Sequence, residues 1–227
     1  MHRTPRIVSD VMTRTVVAVG PQAGFKEIVE AMERWKVSAV PVLTGDGRVA
    51  GVVSEADLLP KEEFRDADPS RMEQMRRLGD LRKAGAATAD ELMSAPAVTV
   101  REDATLGQAA RTMARGRLKR LPVVDASGML RGIVSRCDLL KVFLRSDEDL
   151  AEEIRTEIVD RLFLMSRDTV SVSVENGMVT LGGRIRDTAL VPLAARLVRA
   201  VEGVVDVEWA LPGPGVRRIE PPVPPVA

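Results

Sequence analysis

Short apolar runs alternate with helical stripes along most of this chain, and the same succession is read twice. Residues 16–19 form an extended apolar run, after which Phe25, Ile28, Val29 and Met32 recur at the i, i+3, i+4, i+7 spacing of one helix face. Two β-prone runs follow, Val40-Pro41-Val42-Leu43 and residues 49–53, parted by a turn at Gly47. A second helix then opens through Ser54-Glu55-Ala56-Asp57-Leu58-Leu59. Later in the chain, Leu106, Ala109, Ala110 and Met113 repeat the helical face in thinner form. Leu121-Pro122-Val123-Val124 and residues 130–134 repeat the strands around Gly128, and Ser135-Arg136-Cys137-Asp138-Leu139-Leu140 repeats the helix entry. Each copy reads β-α-β-β-α.

The two copies align without a gap at an offset of 81 residues, which matches Pro41 to Pro122, Gly51 to Gly132, Ser54 to Ser135 and Asp57 to Asp138. Fifteen of the forty-eight positions from Met12 and Met93 onward are identical. A fixed internal period marks copies of one supersecondary unit that bury their faces against each other, so a pseudo-twofold pair is expected. Repeat 1 is placed at residues 9–59 and repeat 2 at 92–145. The connection, 60–91, is long. Beyond Pro69-Ser70 it carries Met72, Met75, Leu78 and Leu81 every three residues, with Arg76, Arg77, Arg82 and Lys83 around them, so it is expected to be helical although Gly79 and Gly85 weaken it. Such a helix lies on the repeat pair or crosses to a second subunit. Thr88-Ala89-Asp90-Glu91 is a capping box that restarts the second copy.

After Leu144 the pattern changes. Asp147-Glu148-Asp149 places acid at the positive end of a helix whose stripe is Leu150, Ile154, Ile158 and Leu162. Val170, Val172 and Val174 alternate with serines as a half-buried strand, Asn176-Gly177 turns the chain into a second strand over 178–185, and Leu190, Ala194, Leu197, Val198 and Val201 mark another helix that ends near Gly203. A last strand covers 204–211. The order over 147–211 is α-β-β-α-β. Residues 212–227 hold six prolines and read as a disordered, polyproline-type tail.

Composition narrows the classes of function. No apolar run approaches the length of a membrane span, and the basic N-terminal stretch is not followed by an apolar one, so a cytoplasmic location is expected. The single cysteine, Cys137, and the single histidine, His2, exclude an internal disulfide, most zinc sites and Cys/His chemistry. Cys137 reads as a packed residue rather than a redox sensor. No metal site is expected.

The repeats resemble the cystathionine-β-synthase (CBS) domain. The marks are the Val-Met-Thr and Leu-Met-Ser entries, the apolar-Pro-Val strand, the glycine before the last strand, and Val-Ser-x-x-Asp-Leu-Leu in both copies. The C-terminal segment resembles a BON domain through Glu175-Asn176-Gly177-Met178-Val179-Thr180-Leu181-Gly182-Gly183 and Gly203-Val204-Val205-Asp206-Val207. Together these identify the chain as similar to CBS-BON proteins of bacterial type, with a mixed α/β (α+β) fold. The CBS resemblance implies an adenine nucleotide or related ligand, AMP, ADP, ATP or another adenosine derivative, bound between the repeats, and a homodimer of CBS pairs. No cofactor is required. The BON resemblance implies contact with a phospholipid or envelope surface.

Ser-x-x-Asp at a helix start is explained by capping alone: the serine satisfies a free N–H and the aspartate favours the positive end of the dipole. A phosphate also suits such an N-terminus, and a carboxylate suits a ribose diol. By resemblance Asp57 and Asp138 hold ribose, Ser54 and Ser135 face phosphate, and Val16, Val98, Val40 and Leu121 flank the adenine. Charge separates the copies, with five basic against six acidic residues over 11–59 but ten against four over 93–145. Lys119, Arg120 and Arg136 therefore mark the second copy's cleft as the stronger anion site, and Asp138 as its dominant ribose acceptor.

The resulting expectation is a non-catalytic regulatory or sensor protein, because neither a nucleophile–base pair nor a phosphate-cradling glycine loop is visible. Its BON domain would contact an unknown protein partner or a membrane surface. Seven basic against thirteen acidic residues over 147–211 weaken the case for an anionic membrane, unless Arg184 and Arg186 build a local basic face. The alternatives are a scaffold whose CBS pair only dimerises, and nucleic-acid binding through the basic second repeat. The latter is disfavoured by the absence of tyrosine and the scarcity of other stacking platforms.

Overall fold

The computed structural model describes residues 6–65, 71–164, 169–184 and 187–210, the side chains of residues 73 and 74 excepted. The expected tail and Arg186 lie outside these residues. The chain divides into two compact units, one spanning Pro5–Leu139 and a second beginning at Leu140.

In the first unit the elements are α1 (Val8–Val11), α2 (Phe25–Trp35), β1 (Ala39–Leu43), β2 (Val49–Ser54), α3 (Glu55–Glu63), α4 (Arg71–Arg76), α5 (Leu78–Gly85), α6 (Ala89–Leu92), β3 (Val100–Arg101), α7 (Leu106–Gly116), β4 (Arg120–Val124), β5 (Leu130–Ser135) and α8 (Arg136–Leu140). Two antiparallel hairpins, β1–β2 and β4–β5, are the centres of the repeats, and both shift register at the same place, between Val42 and Leu43 and between Val123 and Val124. The opening run of repeat 1 does not form the expected strand; Val19 alone bridges Val42, whereas β3 pairs in parallel with β4. Helices α2 and α7 bury Ile28 and Met32, and Leu106, Ala109 and Met113. Val29 and its counterpart Ala110 face solvent in both copies.

The repeats exchange their entry segments. Thr13 of repeat 1 pairs with Ile133 of repeat 2 through backbone bonds of 2.9 Å in both directions, and Ser94 of repeat 2 pairs with Val52 of repeat 1 at 2.9 and 3.2 Å. Gly24 likewise bridges Thr88, and Ile7 bridges Thr105. Each copy's first residues thus complete the other copy's sheet edge.

In its described part the connection is helical over Arg71–Arg76 and Leu78–Gly85, with a break at Arg77 (φ −119°). Helix α5 packs on α3, the first of the two expected arrangements. Thr88 starts α6, where the Glu91 carboxylate accepts the N–H groups of Ala87 and Thr88 at 2.7 and 3.2 Å. These bonds hold the Glu91 carboxyl below its usual range.

The second unit contains α9 (Asp147–Ile154), continued by a π-helical turn (Arg155–Val159) and α10 (Asp160–Leu162), then β6 (Val170–Glu175), β7 (Met178–Gly183), α11 (Val191–Arg199) and β8 (Asp206–Ala210). The sheet order is β6-β7-β8, antiparallel then parallel. Leu150, Ile154 and Ile158 pack with Val179, Leu181, Ala194 and Val198 in one core. Asn176 and Gly177 take φ of 50° and 75°, the left-handed pair a two-residue hairpin demands. Asp147 is not simply a dipole partner: its carboxylate accepts the N–H groups of Asn176 and Gly177 at 2.7 and 2.9 Å, while Ser146 caps α9 by accepting from the Asp149 N–H.

Candidate functional site

Helix α3 starts where β2 leaves extended geometry at Ser54 (φ −121°, ψ 165°). Asp57 Oδ2 accepts the backbone N–H of Ser54 at 2.7 Å and its hydroxyl at 2.6 Å. The hydroxyl donates to the carboxylate, which also holds the Ser54 N–H as in the expected capping box. In the second copy the Ser135 N–H and hydroxyl reach Asp138 Oδ2 at 2.9 and 2.7 Å, and Ser135 Oγ also accepts the Asp138 N–H at 3.3 Å.

Asp57 is 8% exposed, the single buried charged residue among those described. Burying a carboxylate is costly unless it is paired. Its partner comes from outside the repeat: the Lys83 ammonium on α5 forms an ion pair with Oδ1, and the Ser94 hydroxyl lies 3.4 Å from the same oxygen.

Beside this carboxylate opens a cavity of about 280 Å³, just below the ~300–1,000 Å³ that ligand sites occupy. It is lined by Ser54, Glu55 and Asp57, by the cations Arg117, Lys119 and Arg120, and by apolar surface from Val52, Pro96, Ala97, Val98 and Pro122. Arg120 is held by a hydrogen bond from its guanidinium to Ser38 Oγ.

The expected grouping by copy does not hold. Lys119, Arg120 and Val98 of repeat 2 line the cleft of Ser54 and Asp57 from repeat 1, while Ser135, Asp138 and Val16 do not line it. The exchanged entries account for residues 96–98, since Ser94 is paired to Val52 on β2 and carries the following residues to the mouth of repeat 1, while Arg120 reaches the same cleft with its hydrogen bond to Ser38. The charge advantage assigned to the cleft of Asp138 thus falls at Asp57. Arg136 is exposed and donates to the Leu118 carbonyl at 2.8 Å. Val40 and Leu121 have no exposed surface and belong to the interior rather than to the cavity wall.

Ser94, Pro96 and Arg117 are among the lining residues that the sequence did not assign to a site. Ser94 and Pro96 carry no chemical signature until the entry exchange places them. Arg117 ends α7 in the left-handed region (φ 52°), as Lys36 ends α2, and that shared break was readable only as a helix stop. Among the described residues no cluster of three or more His, Cys, Asp or Glu could hold a metal ion, and no helix is long and apolar enough to cross a membrane.

The CBS-domain family model matches residues 8–61 and 89–145, and the BON-domain model matches 146–211. Protein MJ1426 of Methanocaldococcus jannaschii is 27% identical over 154 residues, covering 61% of this chain and 91% of that protein. The chloroplastic CBS domain-containing protein CBSX2 of Arabidopsis thaliana is 29% identical over 153 residues, but the chain spans only 63% of its length. The crystal structure of CBSX2 in complex with AMP superposes with a TM-score of 0.54 at 30% identity, over 61% of this chain and 96% of that one. The chain belongs to the CBS-domain family, with a tandem CBS pair followed by a BON domain.

Proposed function

We propose that this chain is a non-catalytic regulatory protein whose CBS pair binds an adenosine nucleotide in the composite cleft of Asp57. The observation that carries this reading is that a buried carboxylate, the cations Arg117, Lys119 and Arg120, and apolar surface line one cavity. A ligand suited to all three features has a flat apolar base, a vicinal diol and an anionic group. AMP in the solved structure of CBSX2 supports the same class. The BON domain would pass the response to a protein partner or a membrane surface, and CBS pairs would associate as a homodimer through their helices.

Titration calorimetry of the intact chain with AMP, ATP and adenosine tests the reading. AMP is expected to bind more tightly than adenosine. Asp57→Ala should weaken AMP by about tenfold or more, since a hydrogen bond to a charged group contributes ~1.5–3 kcal/mol. Asp138→Ala should matter less, because the cations line the other aspartate's cleft. No heat with any of the three ligands would sink the proposal.

A further inference from the structure

Lys83 lies between the two segments that match the CBS family, yet its ammonium occupies the one buried carboxylate of the candidate cleft. A carboxylate offers about four acceptor positions. Asp57 Oδ2 accepts two hydrogens from Ser54, and Oδ1 faces Lys83 and, at 3.4 Å, the Ser94 hydroxyl. All four positions are engaged, so a ribose diol can take this carboxylate only by displacing donors already there, and the two on Oδ1, Lys83 and Ser94, come from outside the β2–α3 turn.

The element carrying Lys83 is built to yield. Helix α5 has eight residues, includes Gly79 and Gly85, and buries no side chain. Polar ties hold it to α3: Lys61 donates to the Ala84 carbonyl at 3.0 Å, Arg77 pairs with Glu63, and Lys83 pairs with Asp57. Segments held by few apolar contacts open at the low end of a protein's local stabilities. The side chain of Lys83 is itself 23% exposed, which leaves the ammonium a route to water.

We propose that Lys83 is a latch: without ligand it docks α5 against Asp57, and a diol arriving at Asp57 displaces it and loosens the connection between the repeats. This rests on the cleft of Asp57 being the nucleotide site. Coupling of this kind is reciprocal, so whatever favours the docked helix weakens the ligand and whatever removes the latch strengthens it. The CBS pair then reports occupancy through a segment outside both repeats.

Hydrogen exchange of the intact chain, with and without AMP, is combined with AMP calorimetry on the wild type, Lys83→Met and Lys83→Arg. In the wild type, saturating AMP should speed amide exchange over residues 78–85 by ~5-fold or more, the lower end of ordinary allosteric coupling, while β2 and β4 slow. Lys83→Met should exchange fast over 78–85 without ligand, show no further change with AMP, and bind AMP ~5-fold or more tightly, and Lys83→Arg should restore the wild-type pattern. AMP binding to the wild type with unchanged or slower exchange over 78–85 overturns the latch alone, as does weaker binding by Lys83→Met. The wild-type exchange decides the matter even if Lys83→Met does not fold. Absence of AMP binding by both the wild type and Lys83→Arg overturns the nucleotide reading and the latch with it.

Discussion

A Cβ placed on Gly132 would lie 2.7 Å from Met12 Sδ and 2.8 Å from the Thr13 carbonyl oxygen. Its counterpart Gly51 faces Met93 in the same way, against Sδ and with Cβ at 2.9 Å. The glycine before the final motif of each repeat is therefore the seat on which the other repeat's entry methionine rests. The entry exchange that builds the composite cleft depends on both seats staying empty.

Gly132→Ala is accordingly expected to destabilise the CBS pair by ~1–3 kcal/mol, the usual cost of overpacking a tight contact. The Thr13 carbonyl cannot retreat without lengthening the 2.9 Å bonds between Thr13 and Ile133. Urea denaturation should show a lower midpoint for this variant, and an unchanged midpoint would contradict the packing argument.

Arg120 lines the cleft of Asp57 and is oriented by Ser38. Arg120→Ala should weaken AMP by about tenfold, as expected for loss of one charge-assisted bond, and leave adenosine nearly unaffected. Equal losses for both ligands, measured by calorimetry, would show that Arg120 acts on the shape of the cleft and not on the phosphate.

Acid should act on the turn between β4 and β5. Burial pushes the Asp125 carboxyl up, but the Met129 N–H, the Ser127 hydroxyl and N–H, and the Arg131 guanidinium outweigh it and hold it at about 2. The folded pKa lies below the unfolded value of ~3.9, so this carboxylate stabilises the fold fully above that value, and the contribution is lost as pH falls toward 2. Asp125→Asn should flatten the stability profile between pH ~4 and ~2. An identical acid limb in the variant would show that other carboxylates set it.

In the second unit Arg145 has a side chain only 7% exposed, pairs with Glu153 at 2.6 Å and donates to the Glu202 carbonyl at 2.8 Å. Removing one partner of a fully buried pair costs ~3–5 kcal/mol, and this pair is largely but not fully shielded, so Arg145→Ala should lower the thermal midpoint of this unit by a smaller but measurable amount. For the same reason a fragment of residues 140–211 should melt above one of 147–211, which lacks Arg145 and the Ser146 cap. Circular dichroism of the two fragments checks the boundary, and equal midpoints would remove Arg145 from the account.

Much of the architecture was legible in the residues themselves. Period-2 and period-3.6 stripes marked most of the hairpins and helices, the constant offset announced the pair, and Asn176-Gly177 announced its turn, because these signals are local and backbone geometry answers them locally. The run at residues 16–19 was the exception: its β propensity was satisfied by a single bridge at Val19, since pairing in a sheet depends on the neighbour the fold supplies. The Ser-x-x-Asp turns were likewise legible as caps, but not which surface each would share. Lys119 and Arg120 were read with Asp138 because they stand in the same copy, and the packing of the two repeats set them in the cleft of Asp57. Lys83 read as one basic residue among four on a linker helix; it became the counter-ion of the buried aspartate only when α5 folded onto α3. Local pattern determines the elements. Which side chains meet across elements depends on the low-dielectric interior, where a buried charge must find a partner from whatever segment the tertiary fold brings within reach.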